Sequence, residues 1–221
     1  MKRLFQSAII LSIVLFSFSA QAEITGNINL LPGFKVLEGG SDAWDDVNVQ
    51  SEMIAPPGVE TNFRGETWPV SINLAYHDTS MLTWLNLITA PLGAITMEYG
   101  ETQEFDMGVR KIWESAPHVR PYIGAGASYI RGYMQKSFAF AYLPDVNYNL
   151  SDRSDGWGGY IEAGVYWEIA KHLNLGLGAS WSKADLKFSG DVIDGDPTST
   201  RGSVTVDGGG LKVNFILGFH Y

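Results

Sequence analysis

Cysteine is absent from the 221-residue chain. With no disulfide to staple it, the fold must be stabilised by a large core or by a sheet closed on itself. Positive charge is scarce as well: 15 Lys and Arg stand against 24 Asp and Glu, for a formal net charge of −9. So acidic a balance argues against nucleic acid as a partner, because phosphate backbones are met by basic patches. It leaves open a membrane protein whose lipid-facing band is neutral and whose loops carry the charge. Long apolar runs are missing too. Beyond the first two dozen residues no stretch of about 18 consecutive apolar residues occurs, which excludes a helical span there.

What the chain does hold is glycine, 25 residues of it, and aromatics at 13%. Both fit an all-β protein with kinked strands and aromatic girdles. The start is different in kind. Lys2 and Arg3 precede the apolar run Ala8–Phe16, and Ala20-Gln21-Ala22 supplies a small-x-small site. This order reads as a secretory signal peptide, residues 1–22, cleaved after Ala22. A membrane-spanning helix is the competing reading, and the run falls short of the roughly 20 residues it needs. Residues 23–221 then form a single domain.

Its clearest segment is Leu211–Tyr221. Leu211, Val213, Phe215, Leu217, Phe219 and Tyr221 make an unbroken apolar face, opposed by Lys212, Asn214, Ile216, Gly218 and His220. Period-two alternation is a strand signal, and a tilted strand needs about 9–11 residues to cross a bilayer. Seven further alternating segments precede it: Asn27–Leu37, Gly58–Gly65, Pro69–Thr79, Thr102–Trp113, Arg120–Met134, Gly156–Ile169 and Leu173–Phe188. Pro32 falls within the first, where a sheet irregularity would accommodate it. Long acidic connections (38–57, 80–101, 135–155, 189–207) take turns with short ones (65–68, 114–119, 170–172). An even strand count with this alternation predicts an eight-stranded antiparallel up-and-down transmembrane β-barrel of the outer-membrane kind.

A soluble barrel would show the same periodicity with the faces exchanged. Two features choose. The small-or-polar set includes Gly124, Gly126, Gly164, Gly176 and Gly178, which suits a crowded interior. Trp68, Trp113, Trp167, Phe219 and Tyr221 gather near the short turns, with Tyr76, Tyr129 and Trp181 near the long loops. These make two interfacial girdles.

Trp68–Ile72, Met107–Trp113, Arg120-Pro-Tyr-Ile-Gly-Ala-Gly126, Asn174–Gly178 and Leu217–Tyr221 resemble the small eight-stranded outer-membrane barrels, the OmpA-like and opacity-protein-like group. The resemblance covers nearly all of residues 23–221. It implies residence in the Gram-negative outer membrane. It also implies that Phe215, Leu217, Phe219 and Tyr221 form the signal read by the outer-membrane assembly machinery. No catalytic residue comes with it, and a shared fold does not settle a function.

The candidate chemistry lies first in the inward charges Lys35, Glu60, Arg64, Glu104, Asp106, Arg110, Glu162, Glu168 and Lys212. An interior only wide enough for side chains would pair them into a closed network, with Glu104, Asp106, Arg110, Glu162, Glu168 and Lys212 at its heart. An ion pathway or a carboxylate pair for acid–base chemistry is the sharper alternative. His77 and Ser80, at the upper end of a strand, could form a hydrolase pair facing the outer leaflet. Three residues apart in a strand, they would face opposite sides, and a polar rim is the plainer reading. Gly190–Asp196 could collect a divalent ion that bridges to lipopolysaccharide phosphates, although its spacing suits no EF-hand and reads better as a solvated loop. Met81–Ile88 is apolar enough for a short amphipathic helix at the interface or a strand rising above it.

These readings predict a monomeric integral outer-membrane barrel with a structural or surface-interaction role through its extracellular loops. Its partners are outer-membrane lipid, lipopolysaccharide and possible surface ligands; no cofactor, metal or catalysis is expected. A lipid-modifying hydrolase and a narrow conduit for ions or small hydrophobic molecules are the alternatives.

Overall fold

The computed structural model describes residues 24–36, 55–82, 86–88, 94–114, 116, 118–140, 148–194 and 196–221. The expected signal peptide, residues 1–22, lies outside them, as does most of the connection 38–57. The described elements are β1 (Ile24–Val36), β2 (Ala55–Gly65), β3 (Ser71–Leu82), β4 (Asn86–Ile88), β5 (Ala94–Ile112), β6 (Val119–Phe140), β7 (Tyr148–Ala170), β8 (Leu173–Phe188), α1 (Gly190–Asp194), β9 (Val204–Asp207) and β10 (Gly210–His220).

Eight of these strands close a ring. Sequential neighbours pair antiparallel from β1 through β2, β3, β5, β6, β7 and β8, and β10 pairs with both β8 and β1. The closing seam runs from Asn27↔His220 to Val36↔Leu211. Short strands β4 and β9 pair outside the ring with β5 and β8. Pro32 sits where the β1–β2 register shifts, between Leu31 and Gly33. There a missing N–H interrupts a ladder that is already irregular.

The faces are inverted relative to a soluble barrel. Phe215 is 61% exposed and Ile161 59%, whereas Arg110 is 0% and Lys212 2% exposed. An apolar outside around a charged inside is stable only in hydrocarbon, so the barrel spans a membrane. On β8 the outward apolar set Leu173, Leu175, Leu177, Ala179 and Trp181 covers nine residues. At roughly 3.3 Å each and a tilt of about 40°, that is about 23 Å, close to the apolar height of about 25 Å usual for such barrels. Exposed Trp68, Trp113, Trp167 and Phe219 lie near the short-turn end. At the other end Tyr129 and Trp157 meet with ring centroids 5.1 Å apart.

Several strands outrun their sequence-based limits. β5 begins at Ala94, β6 continues to Phe140 and β7 starts at Tyr148. Their ladders extend from Gln103↔Arg131↔Asp155 up to Phe138↔Tyr148. Above the band both faces of these strands are partly polar, so the alternation that marks a lipid-crossing strand fades while backbone pairing persists. For the region 81–88 the strand alternative holds. Residues 81 and 82 prolong β3 and 86–88 form β4, so the helical reading gives way to strand, which pairs its backbone with β5. Residues 83–85 lie outside the description. The last long connection, 189–207, contains α1 and β9.

Inside, two zones are stacked. Near the outer end Ile130, Met134, Ala184, Leu186, Phe188, Val192, Ile193 and Val206 pack into a dry core, drawing on β6, β8, α1 and β9. The Lys136 ammonium holds α1 down through the Ile193 carbonyl, 2.7 Å away. Below lies the charged interior. Gly210, with φ 137°, adopts the left-handed conformation that favours glycine as the chain enters β10.

Placing a charge on the lipid face tests the assignment. Leu217→Arg, near mid-band, is expected to cost about 2–4 kcal/mol in urea unfolding from lipid vesicles. Lys187→Arg, outward but above the band, should change little. Equal effects would contradict the placement of the band.

Candidate functional site

Strand alternation delivers the interior charges from five walls. On β5 the inward positions are Thr102, Glu104, Asp106, Gly108 and Arg110, and all but Gly108 are buried. Lys35 of β1 lies directly across the seam from Lys212 of β10. Two like charges in register repel. Glu104, reaching from the far wall, resolves this with one oxygen 3.1 Å from the Lys35 ammonium and the other 2.7 Å from that of Lys212. Lys212 also meets Asp106 at 2.9 Å, and Lys35 donates to the Gly208 carbonyl at 3.0 Å. The Ser128 oxygen lies 3.0 Å from Glu104 and 2.5 Å from Asp106.

One layer nearer the short turns, Arg110 holds a second cluster. Its two terminal nitrogens bind Glu60 at 2.6 and 2.5 Å. Glu162 takes Nε at 2.8 Å and Nη2 at 2.5 Å. The fifth donor goes to the Tyr166 hydroxyl oxygen. All five N–H groups of a guanidinium are thus engaged, two carboxylates being gripped bidentately. The Tyr122 ring lies 4.1 Å from the guanidinium carbon and stacks on Tyr166 at 4.8 Å. Glycine makes room for it: a Cβ at Gly164 would stand 2.5 Å from the Tyr122 hydroxyl.

Together the clusters set three cations, Lys35, Arg110 and Lys212, against four carboxylates, Glu60, Glu104, Asp106 and Glu162. Neutral donors share the surplus. Asn29 binds Glu60 at 2.6 Å and Asn73 binds Glu162 at 3.3 Å. His77 Nε2 stands 3.7 Å from Asp106. Between the clusters is a void of about 20 Å³ bordered by Glu60, His77, Asp106 and Glu162, enough for about one water. Towards the short-turn mouth an amide chain runs from Asn174 through Asn27 to Asn62, beside an open vestibule of about 130 Å³.

Five of the six residues expected at the heart of the network, Glu104, Asp106, Arg110, Glu162 and Lys212, are brought together here. Glu168 is not. It lies near the end of β7, about a quarter exposed, and pairs with Arg120 at 2.6 Å. Arg64 likewise serves the mouth, with Glu114 at 2.6 Å. Both sit on inward registers, but near the strand ends, where the pairs are partly exposed. His77 belongs to the interior instead of the rim, because β3 continues past it to Leu82. Tyr122, Tyr166 and Ser128 also join the network; the parity that Tyr122 and Ser128 share with Gly124, and Tyr166 with Glu162, was the available signal.

In the Gly190–Asp196 segment, the Asp196 carboxylate accepts from the Thr198 amide and hydroxyl at 2.8 and 2.7 Å. The segment folds on itself, and no metal-holding group of three or more His, Asp or Glu occurs among the described residues. Phe215, Leu217 and Phe219 are exposed on the lipid face. Tyr221 exchanges backbone hydrogen bonds with Gly26, at 3.0 and 3.2 Å, across the seam.

No protein-family model and no curated protein matches this chain. Solved structures do. Outer membrane protein OprG from Pseudomonas aeruginosa is 14% identical, with 90% of this chain and 94% of that one covered and a TM-score of 0.49. E. coli outer membrane protein W is 14% identical, covering 89% and 97%, with a TM-score of 0.45. Neisserial surface protein A is 12% identical, covering 89% and 95%, with a TM-score of 0.44.

Arg110→Met leaves Glu60 and Glu162 facing one another without a cation. A loss of about 3–5 kcal/mol in reversible unfolding is expected, the cost of breaking a buried pair from one side. Adding Glu60→Gln and Glu162→Gln should recover most of it. A single variant as stable as the parent would show that the guanidinium does not organise this layer.

Proposed function

We propose that this protein is a sealed, monomeric integral barrel of the Gram-negative outer membrane that acts through what it raises above the lipid. The single observation carrying this reading is how the lumen is filled. Arg110, Glu60, Glu162 and their tyrosines form one layer, Lys35, Glu104, Asp106 and Lys212 another. The dry core under α1 forms a third. An eight-stranded interior has no width to spare, so side chains locked by charge-assisted bonds leave no continuous water column. The vestibule at the short-turn end is blind in this reading. Outer-membrane lipid surrounds the apolar band, and the assembly machinery reads the terminal strand.

With the lumen closed, interaction falls to the long outer ends of β5–β8 and their loops, a structural or surface-interaction role. Every strand of the ring is paired on both edges, so no edge calls for a second copy. The barrel is not an enzyme in this reading, since His77 is buried in the lumen beside Asp106 instead of facing the outer leaflet.

Two measurements decide. Purified barrel in a planar bilayer is expected to show no stepwise conductance; discrete openings in the wild-type protein would overturn the sealed reading. Incubated with lipid A, it should release no fatty acid. Deacylation that disappears in His77→Ala would replace the structural role with a hydrolase.

A further inference from the structure

Directly above the Tyr129–Trp157 ring pair, the outward face of β5, β6 and β7 changes character. Two rungs of the ladder lie there: Gln103↔Arg131↔Asp155 and, one step higher, Glu101↔Tyr133↔Arg153. Arg131 and Asp155 are each two residues beyond a girdle aromatic. That puts them roughly 5 Å above it once strand tilt is included, at the level of lipid headgroups. Together the six residues line an open groove of about 550 Å³.

Neither arginine takes part in any ion pair among the described residues, although Asp155 is in register with Arg131. Arg153 lies over the Tyr133 ring, 5.2 Å from its centroid. Glu101 is held by neutral donors, the Tyr99 hydroxyl at 3.1 Å and the Gln103 amide at 2.9 Å. Burial and the neighbouring Glu101 carboxylate raise the Tyr99 hydroxyl above its ordinary range, so it remains a donor. The face therefore offers two guanidiniums on diagonal positions, about 7–8 Å apart, and two carboxylates that no cation neutralises among the described residues.

We infer that this groove binds a zwitterionic lipid headgroup of the phosphoethanolamine class, its phosphate taken by Arg131 and Arg153 and its ammonium by Asp155 and Glu101. Guanidiniums meet phosphate oxygens in a bidentate fork. Two positive and two negative groups give the groove no net charge, so an anion gains no general attraction there. A headgroup with both signs satisfies all four. The Tyr129 and Trp157 rings beneath offer an apolar surface for the acyl chains. This inference rests on the membrane reading of the barrel.

The test uses the full folded barrel in phosphatidylcholine nanodiscs doped with phosphatidylethanolamine or with phosphatidylglycerol, and counts lipids retained on release by native mass spectrometry. Phosphatidylethanolamine should be retained about tenfold over phosphatidylglycerol, which corresponds to 1.4 kcal/mol. Glu101→Gln with Asp155→Asn should make the two lipids equal. Arg131→Gln with Arg153→Gln should reduce both, and the charge-preserving Arg131→Lys with Arg153→Lys should fall between, since an ammonium cannot fork. Lys187→Gln, outward on β8, should leave retention unchanged. Equal retention of both lipids by the parent, or arginine variants that behave like the parent, overturns the site. A barrel that fails to enter nanodiscs at all overturns the membrane assignment beneath it.

Discussion

Hydrocarbon offers no partner to a backbone N–H or C=O, and the rest of this structure depends on meeting that demand. The solution is β10, which pairs with β8 on one side and β1 on the other and leaves the ring without an edge. Closure at eight strands then dictates the interior. With eight strands the interior is about wide enough for side chains to fill, and its sequence is too polar to pack like a soluble core. Its side chains must satisfy one another.

The charges do so across the barrel more than along it. Lys35 and Lys212 face each other at the seam, an unfavourable juxtaposition until Glu104 arrives from the opposite wall. Arg110 from β5 collects Glu60 from β2 and Glu162 from β7. A register slip of one residue on any of these strands would turn its inward set out into lipid. The network therefore ties closure, register and lumen filling into one condition. Glycines set the clearance: Gly164 and Gly178 leave space for the Tyr122 ring that lies over Arg110.

The outer boundary of the membrane is written as a change of phase. Along β8, Leu173 to Trp181 puts apolar residues outward at odd positions, whereas Ala184, Leu186 and Phe188 put them inward at even ones. β6 does the same between Tyr129 and Ile130. Below the change the solvent outside is lipid and the lumen is polar; above it, the solvent is water and the lumen is dry. One continuous period does not cross this change, so the full reach of β5–β7 and the presence of α1 and β9 are not legible in it. The groove carrying Arg131 and Arg153 sits on that boundary, where the outward face must satisfy headgroups.

Sequence alone determined that this chain is an all-β barrel with its apolar face outward. Period-two alternation, strand length and the order of long and short connections are local properties, set by steric and solvent rules that act on neighbouring residues. The inward position of Glu104, Asp106, Arg110, Glu162 and Lys212 follows from the same parity. Only the tertiary structure decided which of these charges meet, why Glu168 and Arg64 serve the mouth, and that His77 is interior. Those outcomes depend on strand stagger and on depth along the barrel, quantities that join residues from 48 to 106 positions apart and leave no mark on either neighbourhood.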